Sequence, residues 1–405
     1  MRILINGTNY HPEKIGIGKY TGEMAEWLAM RGHEVRVVTA PPYYPEWRVG
    51  AGYSALGYRC ESLSGVDVWR CPLWIPGKLS GLKRIVHLAS FALSSLPVML
   101  RQIFWRPDVV FVIEPPLMCA PAAWLTARLC GAKSWLHIQD FEVDAAFELG
   151  ILRSTWARRF ALGAESQLMR RFDRVSTISP RMLERLAEKK VALQNAYLFQ
   201  NWVDTDFIFP MRAMSPFRDE LGITPEKVVA LYSGNMGEKQ GLEIVIEAAR
   251  LFADDERLVF VLCGEGGARR RLLERAAGLH NVLWLPLQPV ERLNELLNLA
   301  DVHLLPQRAD VADLVMPSKL TGMLASGRPV VATAYLGTQV AEVVAKCGIV
   351  APPGDAESLW AALRQLIESP EGRGRLGGAA RKYAETRLGK DVVLGQFEQE
   401  LFIAR

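Results

Sequence analysis

A lysine near the start of a predicted helix points most directly to chemistry. Lys319 follows Pro317 and Ser318, and Ser318 is a good N-cap residue. The next turns are apolar, and Gly327 and Pro329 then end the helix. The helix dipole disfavours a cation in the first turn unless an anion lies there, and a diphosphate is the natural candidate. The alternative is an exposed lysine, which costs only roughly a few tenths of a kcal/mol.

Three glycine-rich turns follow predicted strands. The first contains Gly16 and Gly18, the second runs through 232–242 and contains Gly234, and the third lies at 263–267. Glycine lets the backbone approach a phosphate or a sugar, and the amides of the next helix then point toward it. The first turn alone is equally well explained as a plain strand-to-helix turn, because it lacks the spacing of the dinucleotide fingerprint. Turns of this kind at equivalent places in the two halves of the chain suit an enzyme that binds two substrates and transfers a group between them.

Polar side chains at the end of the predicted strand 134–139 are the next candidates. Gln139 and Asp140 stand where open parallel sheets place catalytic groups, so we rank them above the other carboxylates and amides. His137 lies within the strand and is expected to be a buried core imidazole. His11, in the first glycine turn, can contact a ligand, although a lone loop histidine is more often structural.

The sequence predicts no metal site. Asp204-Thr205-Asp206 has the spacing of a D-x-D metal motif but lies at the expected hinge between domains, so we interpret it as structural. Motifs of metalloproteases, P-loop proteins and serine hydrolases do not occur. The six cysteines are scattered without a C-x-x-C pair, which favours reduced core thiols over a disulfide framework or a zinc site.

The elements that position these residues alternate between short apolar strands and amphipathic helices, as in doubly wound parallel sheets. In the first half the predicted strands are Ile3–Asn6, Val35–Thr39, Val66–Arg70, Val109–Ile113, Ser134–Gln139 and Val175–Ile178. In the second half they are Val228–Ser233, Leu258–Cys263, Val282–Leu285, Val302–Pro306 and Val330–Thr333.

The predicted fold class is α/β, with two Rossmann-like doubly wound domains facing each other across a ligand cleft. A chain of 405 residues suits two domains, and the strand–helix periodicity breaks near 201–210. We expect the domains to cover 1–205 and 206–380, and a C-terminal helix at 381–405 to pack back across the hinge.

Two basic segments lie in the first domain. Residues 78–106 carry five cations and no acid, and enclose the apolar run Ile85–Leu100 with Pro97 inside it. We expect this run to be too short and too broken to span a membrane. It suits a helical pair in a membrane interface and, equally, a buried helix with basic ends. Residues 153–174 hold six arginines against two acids and are a second candidate for an anionic membrane surface. The formal net charge of +4 does not indicate a nucleic-acid partner.

Several short motifs together carry a resemblance to a known family over nearly the whole length. They are the Gly16 turn, NWVD at 201–204, SGNMG at 233–237 with Gln240-Gly241, LPLQP at 285–289, HLLPQ at 303–307, PSKL at 317–320 and ASGRPV at 325–330. With them the chain resembles retaining glycosyltransferase family 4, whose members have the GT-B fold. Within that family it is similar to the exopolysaccharide branch that includes the colanic acid biosynthesis glycosyltransferases.

The resemblance implies a hexosyltransferase that takes its sugar from a nucleotide diphosphate donor. Gly16 would place its amide near the diphosphate, Lys319 would hold that diphosphate, and Asp140 stands where many relatives have a histidine on the donor sugar. These three are the implied catalytic residues. The implied donor-binding residues are Gly234, Asn235, Lys239, Gln240, Leu287, Gln288, Asp313, Ser318 and Thr321. His11 and Gly18 would lie on the acceptor side.

The sequence departs from the family pattern at three positions. Asn235 and Gln240 replace the usual Arg and Lys, with Lys239 one position away, and Gly322 replaces a glutamate that usually holds the ribose. Neutralisation of the diphosphate then depends more on Lys319.

The resemblance also implies how the enzyme works and where. The first domain would bind the acceptor, expected to be a lipid-linked saccharide, and the second the nucleotide sugar. No metal or cofactor is required, because lysine, helix N-termini and backbone amides stabilise the charge on the leaving diphosphate. The diphosphate oxygen itself would take the acceptor proton, so no protein base is required either. We expect a cytoplasmic protein at the inner face of the membrane, without a signal peptide, since residues 1–6 already have a strand pattern.

Two other kinds of protein on the same fold remain as alternatives. One is a nucleotide-sugar 2-epimerase, for which the apolar basic segment has no purpose. The other is a non-catalytic nucleotide-sugar or membrane-docking protein, which Asn235 and Gly322 favour. A nicotinamide dehydrogenase is disfavoured by the failed glycine spacing.

Overall fold

The chain forms two compact units of parallel α/β structure. A computed structural model describes residues 1–77, 81–144, 155–308 and 316–404. The first unit comprises residues 1–200 together with 394–405, and the second comprises residues 201–393. The end of the last helix therefore belongs to the first unit. The doubly wound α/β fold class predicted from the sequence is confirmed in both units.

The first unit is built on an eight-stranded sheet in the order β3-β4-β2-β1-β5-β6-β7-β8. All neighbours are parallel except β3, which is antiparallel to β4. Chain order reverses between the adjacent strands β1 and β5, and ligands of such sheets bind at that position. The strands are β1 Arg2–Asn6, β2 Glu34–Thr39, β3 Arg59–Leu63, β4 Val66–Arg70, β5 Val109–Glu114, β6 Lys133–Ile138, β7 Arg174–Thr177 and β8 Ala196–Leu198.

The second unit is built on a six-stranded, all-parallel sheet in the order β11-β10-β9-β12-β13-β14. Here chain order reverses between β9 and β12. The strands are β9 Val228–Ser233, β10 Leu258–Cys263, β11 Val282–Leu285, β12 Val302–Leu305, β13 Val330–Thr333 and β14 Gly348–Ala351. Successive residues of β9 face different cores: Ala230 and Tyr232 pack in one, Val229 and Leu231 in the other. Helices cover both faces of the sheet for this reason.

Every predicted strand is present, with ends that differ by at most one residue. The sequence missed β3, β8 and β14, which are all edge strands or short strands at the margin of a sheet. The residues of β3 are mostly exposed, and none of the three is a continuous buried apolar run. The pattern that identifies a central parallel strand is therefore absent from them.

Helices connect the strands of each unit. In the first unit they are α1 Gly16–Met30, α2 Gly81–Arg101, α3 Ala120–Cys130, α4 Thr155–Met169 and α5 Pro180–Glu188. In the second they are α6 Phe217–Glu220, α7 Glu243–Leu251, α8 Arg269–Arg275, α9 Leu293–Leu299, α10 Ser318–Ala325, α11 Gln339–Val344, α12 Ala356–Glu368 and α13 Pro370–Tyr383. A π-helical turn, Ala384–Leu388, precedes the last helix, α14 Lys390–Ala404.

Helix α2 corrects the expectation of a short, broken helical pair. It is one helix of 21 residues with Pro97 inside it. Pro97 lies on the exposed face beside the exposed Leu93, so the carbonyl that loses its helical hydrogen bond lies next to solvent. By length and composition alone the segment Gly81–Trp105 is long and apolar enough to cross a membrane, and about a third of it is buried. Lys78, the first cation of this basic segment, lies outside the described residues.

The acidic triplet at 204–206 has a structural role, as the sequence interpretation held. The Asp204 carboxylate accepts hydrogen bonds from the backbone N–H groups of Asp206 and Phe207, both at 3.1 Å. Its other oxygen pairs with Lys390 at the start of α14. This carboxylate therefore fixes a turn and a helix end of the second unit.

Candidate functional site

The candidate site of the second unit lies where chain order reverses between β9 and β12. These strands are parallel neighbours, so the turns that leave their carboxyl ends meet at one edge of the sheet. The turn after β9 contains Gly234. The connection after β12 leads to α10, which carries Lys319 in its first turn.

Lys319 is a partly buried cation held against an aromatic ring. Its Nζ lies 4.3 Å from the centre of the Tyr232 ring. Among the described residues it has no hydrogen-bonding or ion-pairing partner, and burial lowers the pKa of its ammonium group to about 8. An ammonium group that is removed from water without a carboxylate partner is stabilised when an anion binds next to it. This favours Lys319 as part of an anion-binding site. The alternative of an exposed lysine is therefore wrong, because β9 brings Tyr232 beneath the ammonium group.

The glycine turn after β9 is fixed to the same tyrosine. The Tyr232 hydroxyl donates a hydrogen bond of 2.6 Å to the carbonyl of Asn235. Gly234 has a φ of +139°, and a Cβ at this position would lie 3.6 Å from Cδ of Lys319. The turn thus brings bare backbone alongside the lysine, as a phosphate-binding turn requires.

The start of α10 differs from the prediction in one respect. Ser318 is the first helical residue rather than the cap, and Pro317 occupies the cap position without a side-chain hydrogen bond. Thr321 donates to the carbonyl of Ser318 at 2.8 Å, so its hydroxyl is directed into its own helix. The first-turn amides consequently lack a side-chain cap, which leaves donors for an external anion.

The other implied donor residues are distributed along the same edge of the sheet. Asn235 is exposed, and the buried Oε1 of Gln240 has no hydrogen-bond partner within the described residues. Leu287 is exposed after β11, where Gln288 donates to the carbonyl of Pro286 at 3.0 Å. The structure brings Lys319, Gly234 and Asn235 together and places Leu287 and Gln288 two strands away. Asp313 and the side chain of Lys239 lie outside the described residues.

Sequence reasoning missed two residues at this edge, Tyr232 and Arg308. Arg308 follows β12 and packs on Gly241, where a Cβ would lie 2.9 Å from its Cγ. Its guanidinium also donates to the carbonyl of Glu238 at 3.4 Å. It brings a cation to the turn in which Asn235 and Gln240 replace the usual family cations. The available signal was its position directly after the strand-end motif at 303–307.

In the first unit, the Gly16 turn is organised around a buried carboxylate that the sequence analysis did not identify. Glu13 accepts hydrogen bonds from the backbone N–H of Tyr43 at 2.9 Å and of Tyr44 at 3.0 Å, and from the Asn9 side chain at 2.9 Å. Burial raises the pKa of this carboxyl group, although the hydrogen bonds oppose the shift. Gly18 packs so tightly on it that a Cβ would lie 2.6 Å from Oε2. Gly16, with a φ of +61°, begins α1 beside this cluster.

The histidines and Asp140 occupy different surroundings. The His11 ring packs on α1, where a Cβ at Gly22 would lie 2.2 Å from it, and its Nε2 lies 3.6 Å from Glu26. His137 is buried and hydrogen-bonded to Ser176 at 2.9 Å, and burial lowers its pKa to about 3. This confirms the prediction of a core imidazole. Asp140 is exposed just after β6.

The ends of β5 and β6, next to Asp140, are joined by a second buried carboxyl group. Glu114 accepts a hydrogen bond from the N–H of Glu142 at 3.3 Å, and its carbonyl accepts one from the N–H of Gln139 at 2.9 Å. Burial, with the nearby carboxylates of Glu165 and Glu142, raises the pKa of Glu114 well above its usual value. Within the described ranges, no group of three or more His, Cys, Asp or Glu side chains is arranged to hold a metal ion.

Two family models match most of the chain. The model of the glycosyl transferase 4-like domain matches residues 16–202, and the model of glycosyl transferases group 1 matches residues 214–383. The chain therefore belongs to this family of glycosyltransferases, and it is an enzyme of that class with the GT-B fold.

One relative supports the assignment over the full length, and two solved structures share the fold. A protein of Escherichia coli (strain K12), named as a colanic acid biosynthesis glycosyl transferase, WcaI, is 44% identical over 99% of this chain and 100% of its own. Sucrose-phosphate synthase from Thermosynechococcus elongatus aligns with a TM-score of 0.75 at 18% identity, over 100% of both chains. Anabaena Alr3699/HepE in complex with UDP-glucose aligns with a TM-score of 0.70 at 16% identity, again over 100% of both chains.

Proposed function

We propose that this glycosyltransferase moves a hexose, with retention of configuration and without a metal ion, from a nucleoside diphosphate to a lipid-linked saccharide during surface polysaccharide synthesis. The observation that carries the proposal is the Lys319 ammonium group, which is held over Tyr232 beside the Gly234 turn without a carboxylate partner among the described residues. The name of the Escherichia coli relative supports the assignment to colanic acid or a similar polysaccharide.

The reaction breaks the bond between the sugar C1 and the β-phosphate oxygen and forms a bond from C1 to an acceptor oxygen on the same face of the sugar. The acceptor proton passes to the departing diphosphate oxygen, so no protein base is required. Negative charge develops on that diphosphate. Lys319, the first-turn amides of α10 and the backbone at Gly234 are arranged to stabilise it, and preorganised groups of this kind supply much of enzymatic rate acceleration.

The direct test is transfer by the purified enzyme in EDTA. With a panel of UDP- and GDP-sugars and membrane lipid extract as the acceptor, we expect sugar to be incorporated into lipid at an unchanged rate when EDTA is present, because Lys319 and the amides neutralise the diphosphate. Nucleoside diphosphate release that needs the acceptor would distinguish transfer from epimerisation. Activity that is lost in EDTA and restored by Mn²⁺ or Mg²⁺ would contradict metal independence.

The acceptor is proposed to be reached from the membrane through the exposed face of α2. Leu82, Val86 and Leu93 are exposed at helical spacing along one side of the helix, and Phe104 is exposed just beyond its end. Lys83 and Arg101 are exposed beside them. The opposite side packs on β2 and α3. A helix fixed by one face, with apolar and basic groups on the other, suits the interface of the inner face of the cell membrane.

Sedimentation with vesicles tests this association. We expect the enzyme to bind vesicles that contain anionic lipid, and to bind less as salt increases, because each cation near the surface contributes about 1 kcal/mol at low screening. Leu93→Glu should weaken binding, whereas Leu336→Glu, at an equally exposed position of the second unit, should not. Equal binding to neutral and anionic vesicles would contradict the basic contribution.

A further inference from the structure

A cavity of about 560 Å³ lies at the carboxyl edge of the first sheet, separate from the residues discussed so far. Its walls come from the loop after β2, the loop after β4 and one side of α2. Because β2 and β4 are parallel neighbours, both loops leave the same edge as the Gly16 turn. Glu13 ties the first of these loops to that turn through the N–H groups of Tyr43 and Tyr44.

The serine hydroxyls of the walls are already hydrogen-bonded to backbone groups. Ser90 Oγ accepts from the N–H of Trp74 at 3.0 Å and donates to the carbonyl of His87 at 2.7 Å. Ser94 Oγ donates to the carbonyl of Pro72 at 2.6 Å. The surface left for a ligand is therefore that of Trp47, Leu56, Leu73 and Trp74, which favours a hydrocarbon over a sugar or a nucleotide.

One wall residue has an unusual backbone conformation. Trp47 has a φ of +53°, which bulky side chains rarely adopt. Its ring is held edge-on to Tyr43 at 5.6 Å and lies 5.2 Å from the His87 ring. Strained residues that are fixed by their surroundings cluster at ligand-binding positions, which supports a binding role for this wall.

One cation stands at the wall of the cavity. Arg48 is exposed, and its guanidinium makes no hydrogen bond or ion pair with the described residues. Leu56 and Trp74 are exposed at the rim, and Leu93 of α2 lies between Ser90 and Ser94 along the helix. The helix that carries the proposed membrane face therefore also supplies part of the cavity wall. An apolar cavity with Arg48 as the single cation among its described wall residues matches a hydrocarbon chain that ends in a phosphate.

We propose that this cavity binds the hydrocarbon chain of the lipid-linked acceptor next to its phosphate, with Arg48 against the phosphate. The inference rests on the proposed function, in that it names the place where the acceptor lipid enters the first unit. The ligand of the cavity is the acceptor lipid rather than bulk phospholipid.

Binding of farnesyl diphosphate and of farnesol to the full chain, followed by calorimetry, tests the proposal. We expect the wild type to bind both, and farnesyl diphosphate more tightly. Leu56→Asp should weaken both by about tenfold or more, because it places a charge at the apolar rim. Arg48→Gln should weaken farnesyl diphosphate alone, by about tenfold, because only that ligand carries an anion. Leu336→Asp and Arg212→Gln, at exposed positions of the second unit, are the matched controls and should change neither.

Nucleoside diphosphate binding, measured on the same variants, separates this inference from the proposed function. It should be unchanged in Leu56→Asp and Arg48→Gln. If nucleotide binding is intact and neither variant changes the affinity for farnesyl diphosphate, the cavity proposal alone is overturned. Inorganic diphosphate that binds a Lys319→Ala variant, in which the diphosphate site of the second unit is removed, as tightly as farnesyl diphosphate does would also overturn it. Absence of nucleotide binding in the wild type would instead contradict the proposed function.

Discussion

Lys319→Ala is expected to lower kcat about 10²–10³-fold, equivalent to roughly 3–4 kcal/mol of barrier, because it removes a preorganised cation from the leaving diphosphate. The usual family cations are absent at Asn235 and Gln240, so few groups can compensate. The fold should survive, because the ammonium group is desolvated without an ionic partner among the described residues and its removal relieves that cost. Steady-state kinetics, nucleoside diphosphate affinity and melting temperature on one preparation check all three points.

The pH dependence of nucleotide binding gives an independent readout of the same group. The pKa of Lys319 in the free enzyme is about 8, and a bound diphosphate must raise it. The contribution of the lysine to affinity is therefore complete below pH 8 and is lost as the pH rises from that value toward the raised pKa of the complex. Lys319→Ala should lack this dependence, and Lys319→Arg should shift it upward because arginine keeps its charge.

Lys382→Ala is the matched control, since this lysine is exposed on α13 of the same unit. It should leave kcat and the pH profile unchanged. A folded Lys319→Ala enzyme within a few-fold of wild type would show that the lysine is not part of the diphosphate site. If Lys319→Ala is unfolded, the expected stability is wrong. The pH profile of nucleotide binding by Lys319→Arg then shows whether the positive charge contributes to binding.

The sequence predicts the central strands well because their signal is local. Val228–Ser233 and Leu258–Cys263 are continuous apolar runs bounded by turn residues, and they occur as predicted. The glycine turns that follow them were located by residue type alone. Edge strands such as β3 lack this signal because solvent reaches their side chains.

The surroundings of Lys319 could not be predicted, because they depend on strand order rather than on local pattern. Tyr232 and Lys319 are far apart in the sequence and meet only because β9 and β12 are neighbours in the sheet. The same holds for Arg308 on Gly241 and for Glu13 beneath the loop after β2. The prediction that Ser318 caps the helix failed by one residue, within the usual uncertainty of helix ends.

Gly264→Ala is expected to destabilise the second unit by about 2–4 kcal/mol and to weaken nucleotide binding. Gly264 has a φ of +143°, and a Cβ there would lie 1.9 Å from the carbonyl oxygen of Gly234. The contact is with backbone, so no side-chain rotation can relieve it. The Gly234 N–H also donates to the carbonyl of Cys263 at 3.0 Å, which ties the two turns together.

A Cβ at position 264 must therefore displace the backbone of the turn beside Lys319. Relief of the clash requires Gly234 to move away from Gly264, and Gly234 is the residue that places backbone next to the lysine side chain. We expect the melting temperature and the nucleoside diphosphate affinity to fall together. Gly267→Ala is the matched control: a Cβ there meets nothing within 4 Å, so both quantities should stay near wild type. If Gly264→Ala loses stability and still binds nucleotide normally, the Gly234 turn is not part of the diphosphate site. That site would then consist of Lys319 and the start of α10.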